Sequence, residues 1–469
     1  MEHVDDKMAS AAWRSERQLR VPSVSAVLPD GRLVEMVMQS GATALAVWDG
    51  LHAERVPEVS VGGDRRLVPY SPQNNLLAHG VVKLPSGAEE YGTESELVAA
   101  VRTFLHRYVD VSPLFESVAA YYVLLTWVHD AFNELPYLRV RGEPGSGKTR
   151  FLLTVGSVCY KPIFASGAST VSPLFRIMDA MGGTLVIDES DFRLSDEKAE
   201  VVKILNNGNV RGFPVLRTEQ VGGSKEFNPR AYHVFGPKII ATRGFFDDRA
   251  LESRFISEQM SIDPLREDIP ISLPAEHEAE AARLRNQLLL YRFKSLLRLR
   301  AQGLRGKLDS TLSPRLRQVF APLLALVEDA ATRDAMLALA RRYEADLTAD
   351  RALELEAALL QVIADLVRET GRLPSLQDIA GHFSVRHGAD HGELTVRRVG
   401  WMVRKRLGVQ TTKSHGTYAI APEAWAKLGA LYARYGIETR APSGIASPES
   451  PESPSADEAR GSPGTAGTS

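Results

Sequence analysis

Cysteine is nearly absent from this chain: Cys159 is the only one in 469 residues. A lone thiol excludes an internal disulfide framework and a cysteine-rich zinc site, and it fits a reducing compartment. Long apolar runs are missing too. The longest, VAAYYVLLTWV at 118–128, is far short of the roughly 20 residues that a membrane span requires, so no membrane partner is expected. The start, MEHVDDKMAS, has neither the basic nor the apolar region of an export signal, and a cytoplasmic protein is expected. Net charge is also lacking. The 56 Lys and Arg against 58 Asp and Glu leave -2, so affinity for nucleic acid has to be argued from local charge. What remains, 44% hydrophobic and 24% charged residues, excludes a disordered or fibrous chain and suits about two to four domains.

Residues 20–90 are rich in Val, Gly and Pro. Short alternating runs (RLVEMVMQS, ALAVWDG, RRLVPY) are separated by the turn signals PDG and VGGD, which predicts a small β-rich accessory region over 1–93. From Glu94 the period becomes helical in ESELVAAVRTFLHRYV and LFESVAAYYVLLTWVHDAFNEL, with Pro136 ending the second helix. Residues 137–260 alternate apolar strands (YLRV, TLVID, KIIAT) with helical segments, the pattern of an α/β sheet with crossover helices. Residues 277–366 are helical in period almost throughout. The tail, 441–469, has almost nothing to bury and is expected to be disordered. The expected divisions are 1–93, an α/β core with leading helices over 94–270, a helical region over 271–355 and a C-terminal module over 356–430.

The stretch RVRGEPGSGKTRFLL, 139–153, joins a strand to a helix through a glycine-rich turn. It contains G-x-x-x-x-G-K-[ST], and that pattern is a phosphate cradle. Gly142, Gly145, Ser146 and Gly147 let backbone N–H groups close around a phosphate, Lys148 neutralises β- and γ-oxygens, and the Thr149 hydroxyl ligates Mg²⁺ at a helix N-terminus. ATP with Mg²⁺ is the expected pair. Downstream, GGTLVIDESD at 182–191 ends an apolar strand in Asp188 and Glu189. Asp188 suits the Mg²⁺ shell and Glu189 suits polarising an attacking water. A metabolite kinase needs no second carboxylate at this point, whereas an ATP hydrolase does.

Next comes FGPKIIATRGFFDDRALESRFI, 235–256. Phosphate loop, acid-ended strand, a further strand ending in a polar residue and then ALESRF, in that order, resemble AAA+ ATPases over roughly residues 100–330. The resemblance implies that Thr242, or Arg243 beside it, senses the γ-phosphate; this chain has Thr-Arg where Asn is frequent, and both stay candidates. It implies that Arg254 is an arginine finger acting on a neighbouring subunit, with Arg249 the runner-up, and that Arg315 in LSPRLRQVF reaches nucleotide from a helical lid. A finger shared between subunits implies a homo-oligomer, a hexameric ring being the expected form. Within the insert at 203–238, FPVLRTEQ and KEFNPRAYHVF flank VGGS as a hairpin with Lys225 at or near its tip. In the resembling helicases a hairpin here grips nucleic-acid backbone.

The stretch 374–425 reads as helix, turn, helix and then a hairpin turning at SHG, and it resembles a winged helix. Its second helix, Thr395 to Leu407, carries Arg397, Arg398, Arg404, Lys405 and Arg406 with no acid among them, while Val396, Val399, Met402 and Val403 are expected on the core side. Lys413 and His415 fall on the wing. Cations toward phosphates and apolar residues toward the core are what a DNA-recognition helix needs. His382, His387 and His391 lie near Asp390 but have no Cys partner, so no zinc is expected.

The resemblance thus implies an AAA+ core with a helical lid, a small β-rich N-terminal region and a C-terminal winged helix. It is similar to the helicase-like, primase-associated ATPases of phages, plasmids and integrative elements. The expected role is a helicase or translocase acting on DNA in replication of a mobile element, with a primase or another replication protein as partner. An ATP-switched initiator, loader or regulator stays open, and so does a protein-remodelling or defence ATPase.

Overall fold

A computed structural model describes residues 19–165, 171–188, 195–220, 227–246, 248–260, 266–303, 312–352, 355–414 and 416–437. The 441–469 tail lies outside the described residues. The chain forms two compact units that meet between Glu344 and Ala345.

The first unit begins with β1 (Leu19–Pro22), β2 (Ser25–Val27), β3 (Leu33–Gln39), β4 (Ala42–Trp48), β5 (Ala53–Val56), β6 (Val59–Ser60) and β7 (Arg65–Val68). They build a four-stranded sheet in the order β2-β3-β4-β5 and a three-stranded sheet in the order β1-β7-β6. Ser40 and Gly41 turn β3 into β4 with φ of 50° and 75°, the left-handed pair that suits a two-residue hairpin. β3 is buried from Leu33 to Val37, so the carboxylate of Glu35 is sealed inside. The apolar cluster around Val34, Met36 and Leu45 runs on without a break to Tyr137, Ile163, Leu185 and Phe255.

After a single helical turn at Asn75–Ala78, two longer helices follow, α1 (Glu94–Tyr108) and α2 (Pro113–Val128). Thr93 and Glu96 close a capping box on α1, and Ser112 caps α2 ahead of Pro113. α2 is buried at every position from Phe115 to Val128. It stops well before Pro136. The Thr126 hydroxyl donates to Val123 O at 2.6 Å, and His129 Nδ1 bonds Thr126 O at 2.8 Å, a carbonyl that another helical turn would use.

The central elements are β8 (Tyr137–Arg141), α3 (Lys148–Ser157), β9 (Ile163–Ala165), α4 (Val171–Met181), β10 (Leu185–Asp188), α5 (Ser195–Asn207), β11 (Val215–Gln220), β12 (Phe227–Tyr232), β13 (Lys238–Thr242), α6 (Arg249–Glu252) and β14 (Phe255–Gln259). Five of these strands form a parallel sheet in the order β14-β8-β13-β10-β9. Parallel pairing brings the carboxyl ends to one edge. There the phosphate loop, Asp188 and Thr242 come together, with β13 standing between the loop strand and the acid strand. β11 and β12 pair as a hairpin outside this sheet, from Val215 opposite Tyr232 to Gln220 opposite Phe227.

Three further helices, α7 (Ala275–Gln302), α8 (Pro314–Leu324) and α9 (Ala330–Ala352), complete the unit, with α9 carrying the chain across the boundary. α7 is joined to the N-terminal strands at its middle. Phe293 stacks on Trp48 with centroids 5.7 Å apart, and Arg292 Nε lies 2.6 Å from Glu35 Oε1. Lys161 Nζ holds the other Glu35 oxygen at 2.9 Å, and Arg292 Nη1 also reaches Asp130 at 2.7 Å. Burial alone would raise the Glu35 carboxyl, but Arg292 and Lys161 outweigh it and hold it below its ordinary range.

The second unit contains α10 (Leu355–Thr370), α11 (Leu376–His391), α12 (Val396–Trp401), the hairpin β15 (Thr411–Ser414) with β16 (Thr417–Ile420), and α13 (Trp425–Tyr435). α12 runs on into a wider, π-type turn over Met402–Arg406. Its core joins Leu360, Ile363, Ile379 and Phe383 to Val399, Met402, Val403 and Leu407. Val396 does not belong to it. The expectation that Val396 packs inward is corrected: it is 45% exposed, because as the first residue of α12 it stands a full turn before the helix meets its neighbours.

Candidate nucleotide and nucleic-acid sites

The phosphate loop leaves β8 at Arg141 and enters α3 at Lys148. Gly145 and Gly147 hold φ of 87° and 86°, a region that side chains with a Cβ rarely adopt. At Gly142 the constraint is space, since a Cβ there would lie 2.5 Å from Ser146 Oγ and 2.9 Å from Met260 O. Lys148 is buried, and its Nζ donates to Gly142 O at 2.6 Å and Glu143 O at 2.7 Å. Burial lowers its pKa, Asp188 and Glu143 oppose the shift, and Arg243 adds to it. Thr149 donates its hydroxyl to Asp188 Oδ2 at 2.8 Å. A hydroxyl and a carboxylate from two different elements, one hydrogen bond apart, fit a hard divalent cation such as Mg²⁺, which takes oxygen ligands. Glu189 lies outside the described residues. The glycine-rich loop, the helix it feeds and the five parallel strands make this an α/β P-loop NTPase fold.

The other expected site residues are placed unevenly. Thr242 is buried, and its hydroxyl donates to Gly244 O at 2.8 Å within its own turn. Arg243 is exposed and near enough to Lys148 to affect its titration. Arg254 is half-buried: one guanidinium nitrogen donates to Asn206 on α5, and its pKa is lowered by burial and by Arg315. Arg315, distant in sequence, thus lies within electrostatic range of Arg254. Arg249 is exposed on α6. Lys225 lies outside the described residues.

One residue that sequence reasoning overlooked organises this corner. Arg139, buried in β8, forks onto Glu252 through Nη1 and Nη2 at 2.7 and 2.6 Å and donates from Nε to Ser257 Oγ at 2.9 Å. Its guanidinium carbon also lies 4.5 Å from the centroid of the Phe255 ring. The clamp fixes α6, and with it the chain direction at Arg254, against the strand that carries the phosphate loop.

In the second unit Arg397, Arg398, Arg404, Lys405, Arg406 and Lys413 are all exposed. Arg406 is paired with Glu356 of α10 at 2.7 Å, an acid that the helix's own sequence does not reveal. Arg404 reaches Thr411 Oγ1 on β15 at 3.3 Å and lies over the Tyr418 ring at 5.8 Å. No ion pair engages Arg397, Arg398, Lys405 or Lys413 among the described residues. Trp401, which sequence reasoning passed over, is 44% exposed in the midst of these cations. His415 lies outside the described residues.

No family model matches the sequence, and no curated protein matches it. Among solved structures, the chain is similar to the C-terminal region of NrS-1, at 10% identity and TM-score 0.37, covering 83% of this chain and 96% of that one. It is similar to a full-length MCM homolog from Methanopyrus kandleri, at 12% identity and TM-score 0.31, covering 65% and 69%. It is also similar to the Aeropyrum pernix ORC1 protein, solved in complex with DNA, at 14% identity and TM-score 0.22, covering 72% and 96%.

Proposed function

We propose that this chain is an AAA+ ATPase that uses ATP hydrolysis to move along or separate DNA strands. The observation that carries the reading is the Thr149–Asp188 hydrogen bond beside the buried Lys148, which puts two oxygen ligands and one cation at a helix N-terminus. Lys148 exchanges its loop carbonyls for β- and γ-phosphate oxygens. Mg²⁺ held by Thr149 and Asp188 would neutralise charge building on those oxygens. Glu189, next in sequence to Asp188, takes the proton of the water that attacks the γ-phosphorus as the bond to ADP breaks. Arg243 is the better placed of the two sensor candidates, because the Thr242 hydroxyl already has a partner in Gly244. Arg254, released from Asn206, completes the site of an adjacent subunit in a ring, and Arg315 reaches the nucleotide from the helical lid. The second unit acts as a winged helix that holds DNA through its unpaired cations, and Lys225 grips the backbone from the hairpin. A helicase or translocase serving a mobile element's replication, in the cytoplasm and alongside a primase, is the role that joins these parts.

The test is ATP turnover and strand separation, measured with no DNA, single-stranded DNA and duplex DNA. DNA-stimulated turnover with strand separation is expected. Slow turnover without separation would make the chain an ATP-switched initiator or loader, and turnover indifferent to DNA would make it a remodelling ATPase.

A further inference from the structure

We infer that Trp401 and Tyr418 form a stacking platform for the unpaired bases of a single nucleic-acid strand. The inference rests on the nucleic-acid reading of this face and narrows it. Trp401 is the largest apolar side chain of its helix, yet the core takes Val399, Met402 and Val403 and leaves the indole 44% exposed. Its surroundings are one-sided. Positions three and four away on an α-helix are surface neighbours, and before Trp401 these are Arg398 and Arg397, while Arg404 and Lys405 follow it in the wider turn. The Arg398 guanidinium carbon lies 4.8 Å from the indole centroid, the distance of a cation resting on a ring.

Tyr418 repeats the arrangement on the hairpin. It is 52% exposed, and Arg404 lies over its ring. Gly400 lies beneath this contact, where a Cβ would crowd Leu376 Cδ1 at 3.0 Å and Arg404 Nη2 at 3.1 Å. From Leu394 to Tyr418 the sequence contains no acid at all. A surface of flat rings set among unopposed cations fits a ligand with an anionic backbone and flat apolar faces. In an intact duplex those faces are hidden against one another, so only an unpaired strand gives both rings something to cover.

The experiment uses the full chain and fluorescence anisotropy with labelled oligothymidylate, oligouridylate and a duplex of the same length, across a salt series. Trp401→Ala and Tyr418→Ala should each weaken binding of an unpaired strand on the order of tenfold and leave duplex binding unchanged. Trp401→Phe should recover most of the loss. The Arg397→Ala, Lys405→Ala double variant should weaken strand and duplex alike and flatten the salt slope by about 1.4 on the strand and about 1.8 on the duplex. Loss confined to thymidylate or to uridylate assigns the strand as DNA or RNA. Both rings are exposed, so unchanged unfolding midpoints should accompany these results. Trp401→Ala binding the strand at wild-type strength, or losing strand and duplex equally, overturns the platform while the basic face stands. If the double variant also binds like wild type, the nucleic-acid reading of this face falls with it.

Discussion

Lys148 holds its ammonium against its own loop, with Nζ 2.6 and 2.7 Å from two carbonyls. Those bonds are exchanged for phosphate oxygens when nucleotide enters, so Lys148→Ala removes charge-assisted bonds that only the bound state gains. Nucleotide affinity should fall on the order of a hundredfold in a fluorescent-ATP titration. Glu189→Gln should instead bind ATP and fail to turn it over, which trapping of radiolabelled ATP would detect; turnover at the wild-type rate would remove Glu189 from the proton-transfer role. A second titratable group reports on stability. Burial pushes His129 down from the usual 6.5 to about 4, against the pull of Asp130. The unfolded chain binds a proton near pH 6.5 that the folded chain refuses until about pH 4, so stability is fully present above this window and is lost as pH falls through it. The loss approaches roughly 3 kcal/mol at the acid end. Urea unfolding at pH 7 and pH 5 should show a smaller difference in His129→Gln than in wild type. Glu35, held low by its cations, adds its own loss only below the ordinary carboxylate range. Lys148, Thr149 and Asp188 were legible in the sequence because a loop motif is local. His129, Arg139 and Trp401 were not, because burial, a carboxylate 113 positions away and a refused place in the core are tertiary facts.

At the scale of elements, the sequence pattern marked β8, β10 and β13 of the parallel sheet, α1 and the hairpin, but it missed the two edge strands β9 and β14 and it failed at ends. α2 stops short because Thr126 and His129 bond its last turn, and Val396 is exposed because a helix's first residue reaches little. The motif ALESRF has two layers of meaning. Glu252 is committed to Arg139, so the segment before Arg254 is a clamped element rather than a free loop. Arg139→Lys keeps the charge but loses the fork and should lower stability by about 3 kcal/mol, read as an earlier unfolding midpoint. If Arg254 depends on that clamp for direction, turnover should fall in the same variant while nucleotide affinity holds.

Among the described residues, one apolar cluster runs from β3 through the parallel sheet and another is confined to the second unit. Calorimetry should resolve two transitions, and Mg²⁺–ATP should raise only that of the unit containing Lys148, by the linkage of binding to folding. A single transition that moves as a whole would contradict it. Subunit sharing is testable at this scale as well. Lys148→Ala and Arg254→Ala should each abolish turnover, by about 10³ to 10⁵ for a transferred finger, and mixing them should restore some of it once mass photometry shows that subunits exchange. The knot of Glu35, Lys161 and Arg292 bears on how such a chain is made. Glu35 leaves the ribosome 257 residues before Arg292 does, and at about 5–20 residues per second that is a wait of roughly 13 to 50 s. Until then a carboxylate destined for a sealed interior has no guanidinium to meet. Lys161 can meet it earlier, but the full set of partners that seals Glu35 inside is complete only after α7 has been synthesised.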